Sequence, residues 1–275
     1  MGSKNGRKVQ TDVFRKGSRT YFTSSLFFPS DMRRDVQSLY GFVRVADNFV
    51  DAVPQDAGGF EGFCDSYRLA KEGRPSGDPI IDDFVELARR KRFEPAWTDA
   101  FLGAMRADLS RHSYDSIEEV LSYIYGSAEV IGLFMARIMD LPDATLPYAQ
   151  LLGRAMQYIN FIRDIDEDLH LGRRYLPLGP AGLQILDKEY AVEHPGEFRR
   201  FIEYHLALYK GWQEEAAEGL AMIPRRYRIP IRTASDMYRW TAHQIENDPW
   251  IVFKQKVKPA KSRIVLSALG NAVAG

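Results

Sequence analysis

Cysteine is nearly absent. Cys64 is the one cysteine in 275 residues, so no internal disulfide can form, and a buried, inert thiol in a reducing compartment is expected. Charge of one sign is not in excess either: Lys plus Arg and Asp plus Glu both number 37. That balance, with no basic block, argues against a nucleic-acid partner. No apolar run approaches the roughly 18 residues that a membrane span needs. "VIGLFMARIM" and the C-terminal "RIVLSALGNAVAG" are both too short, although the second could touch a membrane surface. The polar start "MGSKNGRKVQTD" is followed by no apolar segment, so no secretory signal is expected and a cytoplasmic setting is the reading. Familiar chemistry is missing too. No G-x-x-x-x-G-K-[ST] occurs, which argues against a P-loop kinase, and no convincing G-x-G-x-x-G marks a dinucleotide site. The five histidines lack zinc spacing, and there is no G-x-S-x-G nucleophile elbow.

What the chain does have is apolar periodicity. Hydrophobic residues make up 45% of it, enough for a sizeable core in one domain. Gly and Pro cluster at "VPQDAGG", "GRPSGDP", "LPDATLP", "LPLGPAG" and "HPG", and the apolar steps between them are helical. Tyr148, Leu151, Leu152, Ala155, Met156, Ile159 and Ile162 follow steps of three and four. Similar patterns cover 31–52, 60–72, 80–93, 95–111, 116–140, 197–221 and 230–247, with Ser30 and Asp31 as caps for the first. No alternating strand with a hairpin signal stands out. The expected fold is all-α, one domain of eight or more helices.

Two segments put carboxylates where burial makes them costly. In "RVADNFVD", Asp47 and Asp51 stand one helical turn apart among apolar residues. In "NFIRDIDEDLHLGRRYLP", Asn160, Asp164 and Asp168 share a face, with Glu167 beside them. Like charges so placed repel, and they suit a hard divalent cation with oxygen ligands. A solvated acidic face remains the alternative for each segment alone. Across one cavity, the two together would hold Mg²⁺ ions, whose remaining ligands are water and substrate phosphate. The expected substrate is therefore a diphosphate, contacted by Arg44, Arg163, Arg173–Arg174, Lys256 and Lys261. For Arg163 the competing role is an ion pair with Glu167 four residues on. Plentiful Phe, Tyr, Met and Leu on these helices read as plain core or as a tunnel for a greasy substrate tail.

Over Lys16 to Lys261 the chain resembles the squalene/phytoene synthase family. The family's R-x-x-D-D-x-x-D corresponds to Arg44, Asp47, Asn48 and Asp51. Its N-x-x-R-D-x-x-E-D, then G-R-x-Y-L-P, is complete in Asn160, Arg163, Asp164, Glu167, Asp168, Gly172, Arg173, Tyr175, Leu176 and Pro177. "YIYGSAEVIGLF", with Tyr123, Ala128, Ile131 and Gly132, matches a middle signature, and Ser18, Thr20 and Tyr21 match an entry S-x-S-F element. Three positions depart: Asn48 for Asp, Glu129 for Gly, and Lys256 where an Arg is expected.

The resemblance implies a single isoprenoid-synthase-type helical bundle around a central cavity, residues 16–275, after a flexible tail, 1–15. It implies head-to-head joining of two prenyl diphosphates through a cyclopropyl diphosphate. Asp47, Asp51, Asn160, Asp164 and Asp168 are the implied ligands of Mg²⁺, or of Mn²⁺ in its place. Ser18, Thr20, Tyr21, Arg44, Arg163, Arg173, Lys256 and Lys261 are the implied diphosphate contacts. Tyr123 and Tyr238 are candidates to steady a cation or help accept a proton, with core packing as their alternative; Arg163 joins them as a catalytic candidate through its hold on the diphosphate. The small Ser24–Ser25 pair hints at a deeper tunnel and two C20 donors, hence phytoene. Squalene or dehydrosqualene from C15 donors is the alternative, NADPH being expected for squalene alone. A non-catalytic scaffold member is a remote third reading, and it would be expected to have lost the acids. Product release by peripheral membrane contact is a further expectation.

Overall fold

The computed structural model describes residues 28–274. Ser18, Thr20, Tyr21, Ser24, Ser25 and the tail 1–15 lie outside them. Among the described residues twelve α-helices follow one another: α1 Ser30–Asp51, α2 Ala57–Lys71, α3 Pro79–Arg90, α4 Pro95–Ala107, α5 Ile117–Ile124, α6 Val130–Ile138, α7 Leu146–Arg163, α8 Ile165–His170, α9 Lys188–Glu193, α10 Pro195–Glu218, α11 Arg225–Asn247 and α12 Lys261–Ala274. Among the described residues the β structure is a single isolated bridge, Ser113 to Arg174. No helix there is long and apolar enough to cross a membrane. The all-α expectation holds.

Local chemistry explains most helix starts. Asp56, Asp78, Ser116 and Asp187 each accept a backbone N–H of the first turn they cap. The start of α1 differs from expectation. Ser30 is its first helical residue, the cap position is Pro29, and no side chain caps it. Helix α11 begins at Arg225, five residues before the expected pattern at 230. Pro230 is its sixth residue, past the first turn, so the helix forgoes the N–H bond to the Arg226 carbonyl there.

The segment expected as one helix over 116–140 is interrupted. Tyr125–Glu129 forms a π-helical turn between α5 and α6. That turn lies against α4 and α7. A Cβ on Gly153 would fall 2.5 Å from the Ala128 carbonyl oxygen, so only glycine lets α7 come this close. Helix α7 is the hub: it packs on α6, α10, α11 and the π turn. A second aromatic core, led by the stacked Phe42 and Phe84 rings 3.8 Å apart, joins α1 to α3. Cys64 is buried there, and burial raises its thiol pKa, as expected of an inert thiol.

Behind α7, His205 is fully buried between Tyr158 and the Pro177 carbonyl. Because a carbonyl can only accept, His205 Nε2–H donates to Pro177 and Nδ1 accepts from the Tyr158 hydroxyl at 2.7 Å. Burial pushes its pKa down to about 3. The native state therefore holds neutral imidazole, and its contribution is full above the unfolded value near 6.5. It is lost as pH falls from there toward 3. Asp47, Asp108 and Asp168 shift in the opposite sense. The prediction is thus a difference: between pH 7 and 4 the melting temperature of wild type should fall more steeply than that of His205→Gln. Parallel curves would show that His205 does not titrate this way.

Candidate active site

Helical spacing sets the site. Thr145, Tyr148, Ala149, Leu152, Gly153, Met156, Gln157 and Asn160 recur at three and one, which is one face of α7. All of them line a cavity with an open mouth. Val36, Tyr40 and Val43 continue the wall on α1, and Ile231, Ala234 and Tyr238 on α11. The lining is mainly apolar, with Asn160, Gln157, Tyr40 and Tyr238 among its few polar groups. One helical step beyond Val43 lies Asp47, and beyond Asn160 lies Asp164. The acids thus crown the two helix faces that wall the cavity.

The second acid set survives a break in its helix. Asp164 stands between α7 and α8, yet its N–H reaches the Asn160 carbonyl and its own carbonyl receives the Asp168 N–H, both at 2.8 Å. The expected four-residue register is kept. Gly172 then adopts φ +72°, a left-handed turn that a side chain would strain. This turn carries Arg173 back across the site, where it donates to Asp51 at 2.9 Å and to the Val50 carbonyl. Arg173 is buried and joins the exit of the second acid segment to the end of α1.

Each acid set is crowded and partly neutralised by bases. Arg44 pairs with Asp47, and Arg163 grips both oxygens of Asp164. Lys256 reaches Asp164 at 3.3 Å and pairs with Glu167. The alternative Arg163–Glu167 pair is therefore not what forms. Burial, then Asp51, pushes Asp47 up to about 7. Burial, then Asp164 and Glu167, pushes Asp168 up to about 8. The ends of α1 and α7 add the negative pole of two helix dipoles.

The donor set fits a hard cation. Asn160 Oδ1 is buried with no hydrogen-bond partner, and it stands on the same face as Asp164. Together with carboxylate oxygens it supplies the ligand type that Mg²⁺ takes. Among the described residues no three acids are already gathered into one ligand cluster; the carboxylates stand paired with Arg and Lys instead.

Other expected residues fall in varied places. Tyr238 lines the cavity next to Asn160, and burial raises its pKa. Tyr123 does not line it. Its hydroxyl donates to Asp108 at 2.6 Å, and Tyr175 donates to the other oxygen at 2.9 Å. Lys261 is exposed at the start of α12 and makes no ion pair among the described residues. Asn48 is exposed, so this departure lies off the face that Asp47 shares with the cavity wall. Glu129 is buried but accepts from Arg154 at 2.7 Å, which compensates its charge. Sequence reasoning missed Asp108, which burial pushes up to about 6 although both tyrosine hydroxyls pull it down. It also missed Lys258, whose pKa is lowered by burial and by Lys256.

The raised carboxyl groups give a sign that can be measured. Burial thus favours the protonated form of both Asp47 and Asp168. Metal binding needs both ionised, so Mg²⁺ should release protons, on the order of one per site. Calorimetric titration in buffers of different ionisation enthalpy reads this directly, and Asp168→Asn should release fewer. Heats independent of buffer would contradict the assignment.

This arrangement has known relatives. A family model described as squalene/phytoene synthase matches residues 14–263. A 15-cis-phytoene synthase of Pantoea ananas is 30% identical over 94% of this chain and 89% of its own length. One from a Paracoccus strain is 29% identical over 96% and 90%. Among solved structures, a dehydrosqualene synthase superposes with TM-score 0.86 at 20% identity, covering 98% of this chain and 96% of its own. The squalene synthase HpnC from Alicyclobacillus acidocaldarius does so with TM-score 0.80 at 22% identity, over 90% and 95%; at these identities the likeness speaks for the fold. Family match, relatives and site agree that the chain belongs to the squalene/phytoene synthase family of prenyltransferase enzymes.

Proposed function

We propose that the protein condenses two C20 prenyl diphosphates head to head into phytoene, through a cyclopropyl diphosphate. The observation that carries this is the cavity-lining face of α7, mainly apolar from Tyr148 to Met156 and polar at Gln157 and Asn160, with Asp164 and Asp168 continuing its register beyond the helix break. A diphosphate at the acid-and-base end and a long hydrocarbon along the wall match it. The phytoene synthases among the relatives support the product class.

In this reading Asp47, Asp51, Asn160, Asp164 and Asp168 hold Mg²⁺, or Mn²⁺ in its place. When bound, the ion would neutralise charge that builds on the departing diphosphate. Arg44, Arg163, Arg173 and Lys256 already stand among the acids and would exchange carboxylate for phosphate oxygens; their fixed positive charge favours the leaving group. Ser18, Thr20, Tyr21 and Lys261 are retained as diphosphate contacts on the sequence signatures alone. The double bond of the second donor attacks C1 of the allylic cation, and proton loss closes the cyclopropane. Departure of the second diphosphate gives a cyclopropylcarbinyl cation, which rearranges with ring opening to a linear allylic cation and loses a proton to leave a triene. Tyr238, which lines the cavity, would steady such cations with its ring. Tyr123 would act from behind, oriented by Asp108. The apolar lining keeps water from capturing the cations.

The final proton loss needs no nicotinamide, so NADPH is expected only for a squalene-forming enzyme. The reading also includes a peripheral membrane contact through α12. Val265, Leu266, Leu269 and Val273 are exposed on this helix, which carries Lys261 and Arg263 and no acid.

Incubation with C20 donor and Mg²⁺ alone should give a C40 hydrocarbon with the near-ultraviolet absorbance of a conjugated triene. Asp164→Ala should lower its formation about a hundredfold or more with an unchanged helical circular dichroism signal. Full activity in EDTA, or a stall at the cyclopropyl diphosphate until NADPH is added, would overturn this reading.

A further inference from the structure

The cavity has a measurable length. From Asn160 to Thr145 its wall on α7 spans fifteen residues, roughly 22 Å at the helical rise. Tyr148 lies roughly 18 Å along that line, about four-fifths of the way in. A C20 chain filling the cavity from the acid end places its last isoprene unit at the level of Tyr148 and Ala149. A C15 chain, shorter by that one unit, ends before it.

Two close approaches fix the wall at this level. A Cβ on Gly219 would fall 2.3 Å from Tyr148 Cβ and 2.6 Å from its Cγ. Those atoms belong to the stem of the side chain, so rotation of the ring cannot relieve the contact. On the neighbouring helix, a Cβ on Gly132 would fall 2.1 Å from the Ala149 carbonyl oxygen. The chain at Tyr148–Ala149 is therefore held on two sides by surfaces stripped of side chains. Gly219, Gly132, Tyr148 and Ala149 all line the cavity. The two glycines let their segments close on α7, and so fix where Tyr148 and Ala149 stand on the cavity wall.

We infer that the Tyr148–Ala149 level, clamped by Gly219 and Gly132, gauges donor chain length and admits the fourth isoprene unit. This inference rests on the proposed function, because it concerns which prenyl donor that same site takes. Ala149→Phe fills the space directly. Gly219→Ala fills it by forcing Tyr148 off its present position. Tyr148→Ala enlarges it.

The test compares C20 with C15 donor for each variant by kcat/KM, and by the binding of unreactive thiolo-diphosphate analogues of both lengths. The ratio of C20 to C15 should fall about tenfold or more for Ala149→Phe, since contacts of a few methylenes are worth that much. Gly219→Ala should shift it the same way, and Tyr148→Ala should not lower it. Should Gly219→Ala fail to fold, Ala149→Phe and Tyr148→Ala decide alone. A ratio unchanged within about twofold in folded Ala149→Phe, with a wild type that prefers C20, would overturn the gauge and leave the proposed function standing. A wild type that binds neither analogue would overturn both.

Discussion

A buried guanidinium holds this site together. Arg173 donates to Asp51 and to the carbonyl of Val50, and its own N–H is bonded to the Asp168 carbonyl. It belongs to the segment that leaves the second acid set, and it is bound to the end of the first. Without it, Asp51 at the end of α1 would lose the one ion pair it makes among the described residues. Gly172 exists for the same purpose: its left-handed turn is what returns Arg173 to the site. The cost of burying Arg173 is met because charge and hydrogen bonds are supplied together.

From that constraint the rest of the arrangement follows. Acids at the ends of α1 and α7 lie at the negative poles of their own helices, a setting that suits the cations and diphosphate of the proposed function. Behind the mouth the same helix faces turn apolar. The long cavity is possible because α6 and the π turn come close to α7 across glycines without filling it. The π turn also sets apart two roles that the sequence joins: Tyr123 faces inward to Asp108, whereas Ser127 and Ala128 face the cavity.

Much of this was legible in the sequence, because it is periodic. Asp47 with Asp51, and Asn160 with Asp164 and Asp168, keep helical spacing, and spacing is enough to place them on one face. The apolar steps of α7 were legible for the same reason, though not whether they faced core or cavity. What stayed hidden depends on long-range contact. Asp108 sits at the end of an ordinary helix, and only the fold brings Tyr123 and Tyr175 to it. Lys258 lies in an irregular segment with no pattern to read. Pro230 disguised the start of α11, and the π turn left no trace in an apolar run whose period changes by a single residue. The mutual preference of Arg163 for Asp164 and of Lys256 for Glu167 depends on which side chains meet in space.

The account stands on one claim: the two acid sets form a single diphosphate site at the mouth of a cavity that holds the hydrocarbon. A crystal structure with Mg²⁺ and an unreactive C20 thiolo-diphosphate tests it most directly. The account predicts the diphosphate between Asp47–Asp51 and Asp164–Asp168, with the chain running along α7 past Gly153 toward Thr145. A diphosphate bound away from either acid set, or a chain lying outside the α7 wall, would contradict it.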